Sequence, residues 1–198
     1  MSAAPEPPDP AMFLHVRVVL SMVVSLSIAR LLSGLAVFVQ HPGRLKPSAV
    51  HLLWVASMLL LVVDFWWWQF RLAHLAVWRF EIYVFVLFYA ALNYLLCAIL
   101  FPNDLDEYEG WSDYFISRRR WFFGLFALTF AVDLVDTLIK GPLLLPRLGT
   151  EYLVRAGAYV VLCGVAAALR SPRFHLAFAV ANLLYQVSFI LRLYDVVE

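Results

Sequence analysis

Acidic side chains interrupt the most apolar stretches of the chain. Asp64 directly follows the apolar run 58–63, and Asp133 and Asp136 follow the largely apolar run 122–132. A charge at the centre of a bilayer helix costs about 2.5–3.5 kcal/mol on insertion scales, so it needs a partner, water or a function. Carboxylates in hydrocarbon either pair with cations or take up a proton, because desolvation disfavours the charged form. The three aspartates are therefore candidate proton or cation sites.

Basic residues are placed where they could pair with these acids. Lys140 ends the apolar stretch that contains Asp133 and Asp136, and Arg155 lies early in the next one, at the same predicted depth. Arg30 lies in the opposite half of the first stretch, from which it could extend to the nearby loop or reach an acid through water. One interpretation is a proton or ion pathway built from all six residues, with Arg30 and Arg155 as the charge partners of the acids. The other is a buried ion network that only holds helices together.

Neutral polar residues and histidines also lie in the apolar stretches. Asn93 interrupts one stretch, and Asn182 and Gln186 share a helix face at a spacing of four. These three side chains suit hydrogen bonds between helices first and a solute path second. His51 and His175 open two stretches from the same side and could axially ligate a b-type haem. Because interfacial histidines are common and no clear glycine groove for the macrocycle is present, we expect no cofactor, with haem as a minor alternative.

Several functional classes find no support in the sequence. Motifs of P-loop enzymes, serine hydrolases, zinc proteases and dinucleotide-binding enzymes do not occur, which favours a non-enzymatic protein. Cys97 and Cys163 each stand alone in an apolar run, so neither a disulfide framework nor a metal site is predicted. The net charge of +1 gives no reason to expect a nucleic-acid partner.

The composition assigns the chain to the membrane. Its 198 residues are 64% hydrophobic, which is more apolar surface than a soluble domain of this size could bury. A helix needs about 20 apolar residues to span a bilayer. Continuous apolar runs predict helices rather than a barrel. We therefore predict an all-α polytopic bundle of about six transmembrane helices: Phe13–Val39, Ala49–Phe70, Phe80–Phe101, Trp121–Lys140, Thr150–Leu169 and Phe174–Leu193.

The chain divides into a short tail and one transmembrane domain. Residues 1–12 are rich in proline and predict a disordered tail, whereas residues 13–198 form the six-helix domain. The long loop 102–120 begins acidic and ends in three arginines. Within it, Trp111–Arg119 forms either a short interfacial helix or part of a solvated loop. The distribution of arginine and lysine slightly favours a cytoplasmic location for this loop, which places both termini outside.

The two halves of the chain share a spacing of polar residues on their first helices. Three-helix halves joined without a linking helix lie inverted in the membrane, as in many secondary transporters. An inverted three-plus-three repeat is therefore a further hypothesis. The alternative is that two apolar helices share this spacing by chance. The shared spacing is that of Ser27, Arg30 and Gly34 on the first helix and of Asp133, Asp136 and Lys140 on the fourth.

The size of the bundle predicts that the protein belongs to an oligomer or to a larger complex. Its 16 phenylalanines and 7 tryptophans should fill a narrow six-helix interior, so a pathway would lie more readily at a subunit interface. We therefore predict a homo-oligomer or a membrane hetero-complex, packed through small residues that allow helices to approach closely. The candidate packing residues on the fifth helix are Gly157, Ala158, Gly164, Ala166, Ala167 and Ala168.

Three short motifs resemble those of a group of small bacterial six-helix inner-membrane proteins. They are Leu31-Leu32-Ser33-Gly34, His51-Leu52-Leu53-Trp54 followed by Phe65-Trp66-Trp67, and Arg119-Arg120-Trp121-Phe122-Phe123. The resemblance implies an all-helical bundle in the bacterial inner membrane. From the residues themselves we predict a small proton-linked channel or transporter for an ion or solute. An accessory or assembly subunit of a membrane complex is the alternative, and a haem electron-transfer protein is the minor one.

Overall fold

Six long helices make up the part of the chain that the structure describes. The computed structural model describes residues 10–40, 47–75, 77–104, 107–141 and 144–194. Each helix is long and apolar enough to cross a bilayer, which confirms the predicted all-α membrane bundle. A 3₁₀ turn, Gln69–His74, extends the second helix. The helices are α1 Pro10–Gln40, α2 Ala49–Trp68, α3 Phe80–Ala98, α4 Trp111–Ile139, α5 Leu144–Ala168 and α6 Pro172–Tyr194.

The fourth helix begins earlier than the sequence predicted. It runs without interruption from Trp111, so residues 111–120 form neither a separate interfacial helix nor the second half of a loop. Trp111, Tyr114, Phe115 and Arg119 are buried on one face, which continues the buried face of the transmembrane part. The long connection that was predicted over 102–120 therefore ends at Gly110, whose φ of 154° favours glycine.

The starts of α1, α5 and α6 also differ from the predicted bounds, and α6 begins two residues early, at Pro172. α1 begins at Pro10, and the rest of the expected tail, residues 1–9, lies outside the described residues. α5 contains a kink at Gly149, whose φ of 73° requires a residue without Cβ. Its straight part consequently begins at Thr150, as predicted, and a short helical segment precedes it.

The second helix lies at the centre of the bundle. α2 packs against α1, α3, α4 and α6, whereas α5 packs mainly on α4. In the first half α1 packs on α3, and in the second half α4 packs on α5. These pairings are not the same in the two halves, and the inverted repeat stays a prediction. α2 is the central helix of the core because four other helices pack against it.

Labelling of single cysteines should confirm how the helices are threaded through the membrane. We expect Ser48→Cys, Ser112→Cys and Ser171→Cys to react from one side and Arg147→Cys from the other. The natural Cys97 and Cys163 are buried and should stay unlabelled in the folded protein. A mixture of sides among the first three positions would contradict the six-helix topology.

Candidate functional site

A small cavity lies between α2, α4, α5 and α6, and we call it the acidic cavity. Its volume is about 70 Å³, which is room for a few water molecules at about 10–15 Å³ each. Apolar and aromatic side chains from all four helices form most of its wall. Its polar wall consists of Asp64 from α2, Tyr89 from α3, Thr129 and Asp133 from α4, Tyr152, Arg155 and Tyr159 from α5, and Asn182, Tyr185 and Gln186 from α6.

Asp133 is held in a fixed position in the cavity wall. Its carboxylate accepts hydrogen bonds from Tyr152 Oη at 2.9 Å and from Tyr89 Oη at 3.3 Å. Arg155 Nη2 lies 3.5 Å from the same carboxylate and forms an ion pair with it. The Arg155 guanidinium also lies over the ring of Phe189, 4.0 Å from its centroid. Asp133 and Arg155 therefore compensate each other's charge.

Asp64 faces the same cavity without such compensation. Its carboxylate accepts a hydrogen bond of 2.6 Å from Tyr194 Oη at the end of α6. No lysine, arginine or histidine of the described residues lies within ion-pair distance of it. Arg155, Lys140 and Arg71 act on it only from further away, and so does the carboxylate of Asp133. Asp64 is thus the carboxyl group of the cavity wall that has no ion-pair partner among the described residues.

Asp136 and Lys140 form a second, closed ion pair next to the acidic cavity. Both side chains are fully buried, and the Lys140 ammonium group binds Asp136 Oδ2. The same ammonium group lies 5.3 Å from the ring centroid of Trp68. Asp136 Oδ1 is buried and finds no hydrogen-bond partner among the described residues. The sequence prediction of one charged layer therefore corresponds to two adjacent groups, one at the cavity and one sealed beside it.

A chain of neutral hydrogen bonds continues from the cavity toward the middle of the bundle. Tyr159 Oη donates to Asn182 Oδ1 at 2.8 Å, and Asn182 Nδ2 donates to Ser57 Oγ at 3.0 Å. Gln186 Nε2 donates to the Ser57 carbonyl at 3.2 Å. These bonds tie α6 to α2 and α5, as predicted for Asn182 and Gln186. Asn93 differs, because its amide donates to the Tyr89 carbonyl of its own helix.

Arg30 does not belong to this site, which corrects the expected pairing with the acids. Its guanidinium group binds the Phe101 carbonyl and Asn103 Oδ1, the latter at 2.9 Å, just after α3 on the opposite side of the membrane. Phe101 lies in the turn that follows α3, near the negative end of the helix dipole, which attracts a cation. Gly34 makes this approach of α1 to α3 possible, because a Cβ there would collide with the Phe101 ring.

The two candidate haem ligands cap helix ends on that same side. His51 Nε2 lies 2.7 Å from the Leu100 carbonyl after α3, and His175 Nε2 lies 3.0 Å from the Leu169 carbonyl after α5. These are the nitrogens that a haem iron would need. The contacts give both rings a structural role, and a visible spectrum of the purified protein, with or without a Soret band, decides the haem hypothesis.

Tyrosine hydroxyl groups are the part of the site that the sequence reasoning missed. Four of them serve the cavity, since Tyr89 and Tyr152 bind Asp133, Tyr194 binds Asp64, and Tyr159 begins the neutral chain. A signal was available in α5, where a tyrosine stands three residues before Arg155 and another four residues after it. That spacing places all three side chains on one helix face.

Comparison with protein-family models, curated proteins and solved structures finds no match to this chain. The motifs that carry the resemblance to small inner-membrane proteins nevertheless meet in the core. Trp54 packs edge-on against Phe122 and Phe123, with ring centroids 5.0 and 5.4 Å apart. The same Phe123 ring stacks on His175 at 5.5 Å. These motif residues serve helix packing.

Proposed function

We propose that this multi-pass membrane protein is a small proton-linked channel or transporter for an ion or solute, with the acidic cavity as its pathway. The observation that carries the proposal is Asp64, an acid at membrane depth with no ion-pair partner among the described residues. The cavity wall holds two carboxyl groups and one guanidinium group. One negative charge is therefore in excess, and a bound proton or cation would neutralise it.

The geometry supports a proton as the coupling species. A cavity of about 70 Å³ has room for a few waters. In the proposed cycle, Asp64 takes up a proton from cavity water while Tyr194 holds its carboxyl group in place. The pair of Asp133 and Arg155 supplies a fixed field beside it, and the Asp136–Lys140 pair keeps the neighbouring layer neutral. The proton then returns to cavity water when Asp64 ionises again.

The location that we propose is the bacterial inner membrane, on the strength of the resemblance of the three motifs. Lipid exposure of the helices supports the membrane part of this assignment, because large apolar side chains cover the outer surface, with Val39, Phe80 and Val154 among the most exposed. In a soluble protein such a surface would aggregate. The bilayer is therefore the natural solvent of this bundle.

Proton flux in proteoliposomes tests the proposal. Wild-type protein should dissipate an imposed pH gradient. Asp64→Asn should lower the rate of proton flux by about 100-fold, which is the lower end of the loss in rate when a proton-transferring side chain is removed. Asparagine keeps the size and the hydrogen bond to Tyr194 but cannot ionise. The matched control is Glu81→Gln on the exposed start of α3, which should leave the flux unchanged.

An accessory or assembly subunit is the alternative function. It is favoured by the helix-end contacts of Arg30, His51 and His175, which commit these polar groups to holding the bundle together. Absence of flux in the wild-type protein across the tested ions and pH values would favour this function. Flux that is equal in wild type and Asp64→Asn would contradict the acidic cavity as the pathway.

We propose in addition that the protein assembles through α5. Gly157 and Gly164 face open space, since a Cβ at either would meet no atom within 4 Å. Small residues at such a face let a second helix approach closely. Native mass spectrometry from mild detergent should show a homo-oligomer or a hetero-complex, and Gly157→Leu with Gly164→Leu should shift it toward monomer. A lone 22.7 kDa species from the wild type would contradict assembly.

A further inference from the structure

A cluster of arginines stands at the membrane boundary where α4 meets the turn between α5 and α6. Its centre is Arg119, which is only 4% exposed. Arg119 Nε donates to the Leu169 carbonyl at 2.9 Å and Nη1 donates to the Ile116 carbonyl at 2.8 Å. This guanidinium group therefore ties the end of α5 to α4 through backbone carbonyls and not through an acid.

Three arginines near Arg119, namely Arg120, Arg170 and Arg173, form no ion pair with the described residues. Arg120 and Arg170 lie close enough to repel it electrostatically, and no carboxylate is among the charges that act on it. The side chains of Arg120, Arg170 and Arg173 are exposed and form no hydrogen bond or ion pair with the described residues. Like charges gathered in this way raise the free energy of the folded protein unless an anion binds between them.

The turn between α5 and α6 adds a further attraction for an anion. α6 begins at Pro172, so the positive end of its dipole lies at the turn that carries Arg170 and Arg173. Arg118 differs from its neighbours, because its guanidinium group turns away to the hydroxyl of Tyr108. Within this cluster, Arg120, Arg170 and Arg173 are therefore the arginines without a partner among the described residues, and we call them the arginine patch.

Apolar neighbours indicate what kind of anion the patch fits. Trp121 follows Arg120 directly and is 68% exposed, and Leu169 precedes Arg170 and is 43% exposed. An exposed tryptophan beside arginines is typical of the level of the lipid headgroups. A ligand that fits both features carries a phosphate for the arginines and acyl chains for the outer faces of α4 and α5. Basic pockets between transmembrane helices bind anionic headgroups in this manner.

We infer that the arginine patch is a binding site for an anionic phospholipid. Its phosphate lies among Arg120, Arg170 and Arg173, and its chains run along Trp121 and Leu169. The bound lipid neutralises the charge that surrounds Arg119 and so strengthens the contact between α4 and the end of α5. The inference does not depend on proton conduction, because the patch lies on the opposite side of the membrane from the acidic cavity.

Lipid titration monitored by native mass spectrometry tests the inference on the full-length protein. Phosphatidylglycerol should be retained in preference to phosphatidylcholine. Replacing Arg120, Arg170 and Arg173 together by glutamine should weaken phosphatidylglycerol binding by about 100-fold, since each basic residue near anionic lipid contributes about fivefold. The matched control removes exposed arginines of the other side with Arg79→Gln and Arg147→Gln, and should bind like wild type.

Two further measurements test whether binding depends on charge or on packing, and whether the patch binds a lipid or free phosphate. Replacing the same three arginines by lysine keeps the charge and should retain binding within about tenfold, because lysine remains a phosphate binder. Glycerol phosphate should not displace the lipid. Equal retention of both lipids, wild-type binding by the glutamine variant, failure of the lysine variant, or displacement by glycerol phosphate would each overturn the inference.

Discussion

Replacing Lys140 by methionine should destabilise the bundle by about 3–5 kcal/mol, because it leaves the carboxylate of Asp136 buried without its cation. Both side chains of this pair are fully buried, so no solvent can take over the role of the ammonium group. The measurement is equilibrium unfolding in mild detergent at neutral pH. The loss should shrink in acid, because a proton then neutralises the isolated Asp136.

A double variant separates the role of the pair from that of the cavity. Asp136→Leu combined with Lys140→Met should recover most of the lost stability, since apolar replacement of a buried ion pair is often neutral or stabilising. Arg147→Met, on an exposed residue, is the control and should cost almost nothing. If the double variant is stable and still conducts protons, the pair is structural. A Lys140→Met variant as stable as wild type would show that Asp136 is not confined as the structure has it.

The helices were predictable from the sequence because the signal that defines them is long and simple. Runs of about 20 apolar residues that are separated by proline and glycine have few alternatives to forming transmembrane helices in a bilayer. The start of α4 was not predictable in this way. Arg118, Arg119 and Arg120 look like the end of a loop, yet Arg119 is buried because it binds a carbonyl of α5. The partner that makes the burial favourable is 50 residues away in sequence.

The candidate site was likewise predictable only in part. Depth along each helix placed Asp133, Asp136, Lys140 and Arg155 in one layer, because helical rise is fixed at 1.5 Å per residue. The pair of Asp136 and Lys140 is local, at a spacing of four residues on α4. The pair of Asp133 and Arg155 depends on helix rotation and on the α4–α5 contact, and neither is encoded locally. Arg30 shows the limit, since a charge count cannot tell a carboxylate partner from the carbonyl of Phe101. The role of the tyrosine hydroxyl groups was not predicted, because tyrosine is common in membrane helices.

Removal of the Trp54 side chain should be the most damaging single change in the core. The indole is fully buried and packs edge-on against four rings, with centroid distances of 5.0 to 5.4 Å. Those rings belong to α4 and α6, namely Phe122, Phe123, Phe126 and Phe178. Trp54→Ala should therefore cost about 3–5 kcal/mol, as for other large core aromatics replaced by alanine. Equilibrium unfolding in mild detergent measures this loss.

Two matched variants show whether the loss arises from packing at the centre of α2. Trp54 Nε1 has no hydrogen-bond partner among the described residues, so Trp54→Phe removes volume but no hydrogen bond. It should cost less than about 1.5 kcal/mol if the remaining rings close around the smaller side chain. Trp67→Ala, on a residue that is 52% exposed on the same helix, should cost less still. Equal losses for Trp54→Ala and Trp67→Ala would contradict a core built on α2. A loss confined to Trp54→Ala would instead show that α2 couples α4 to α6, the helices that enclose the acidic cavity.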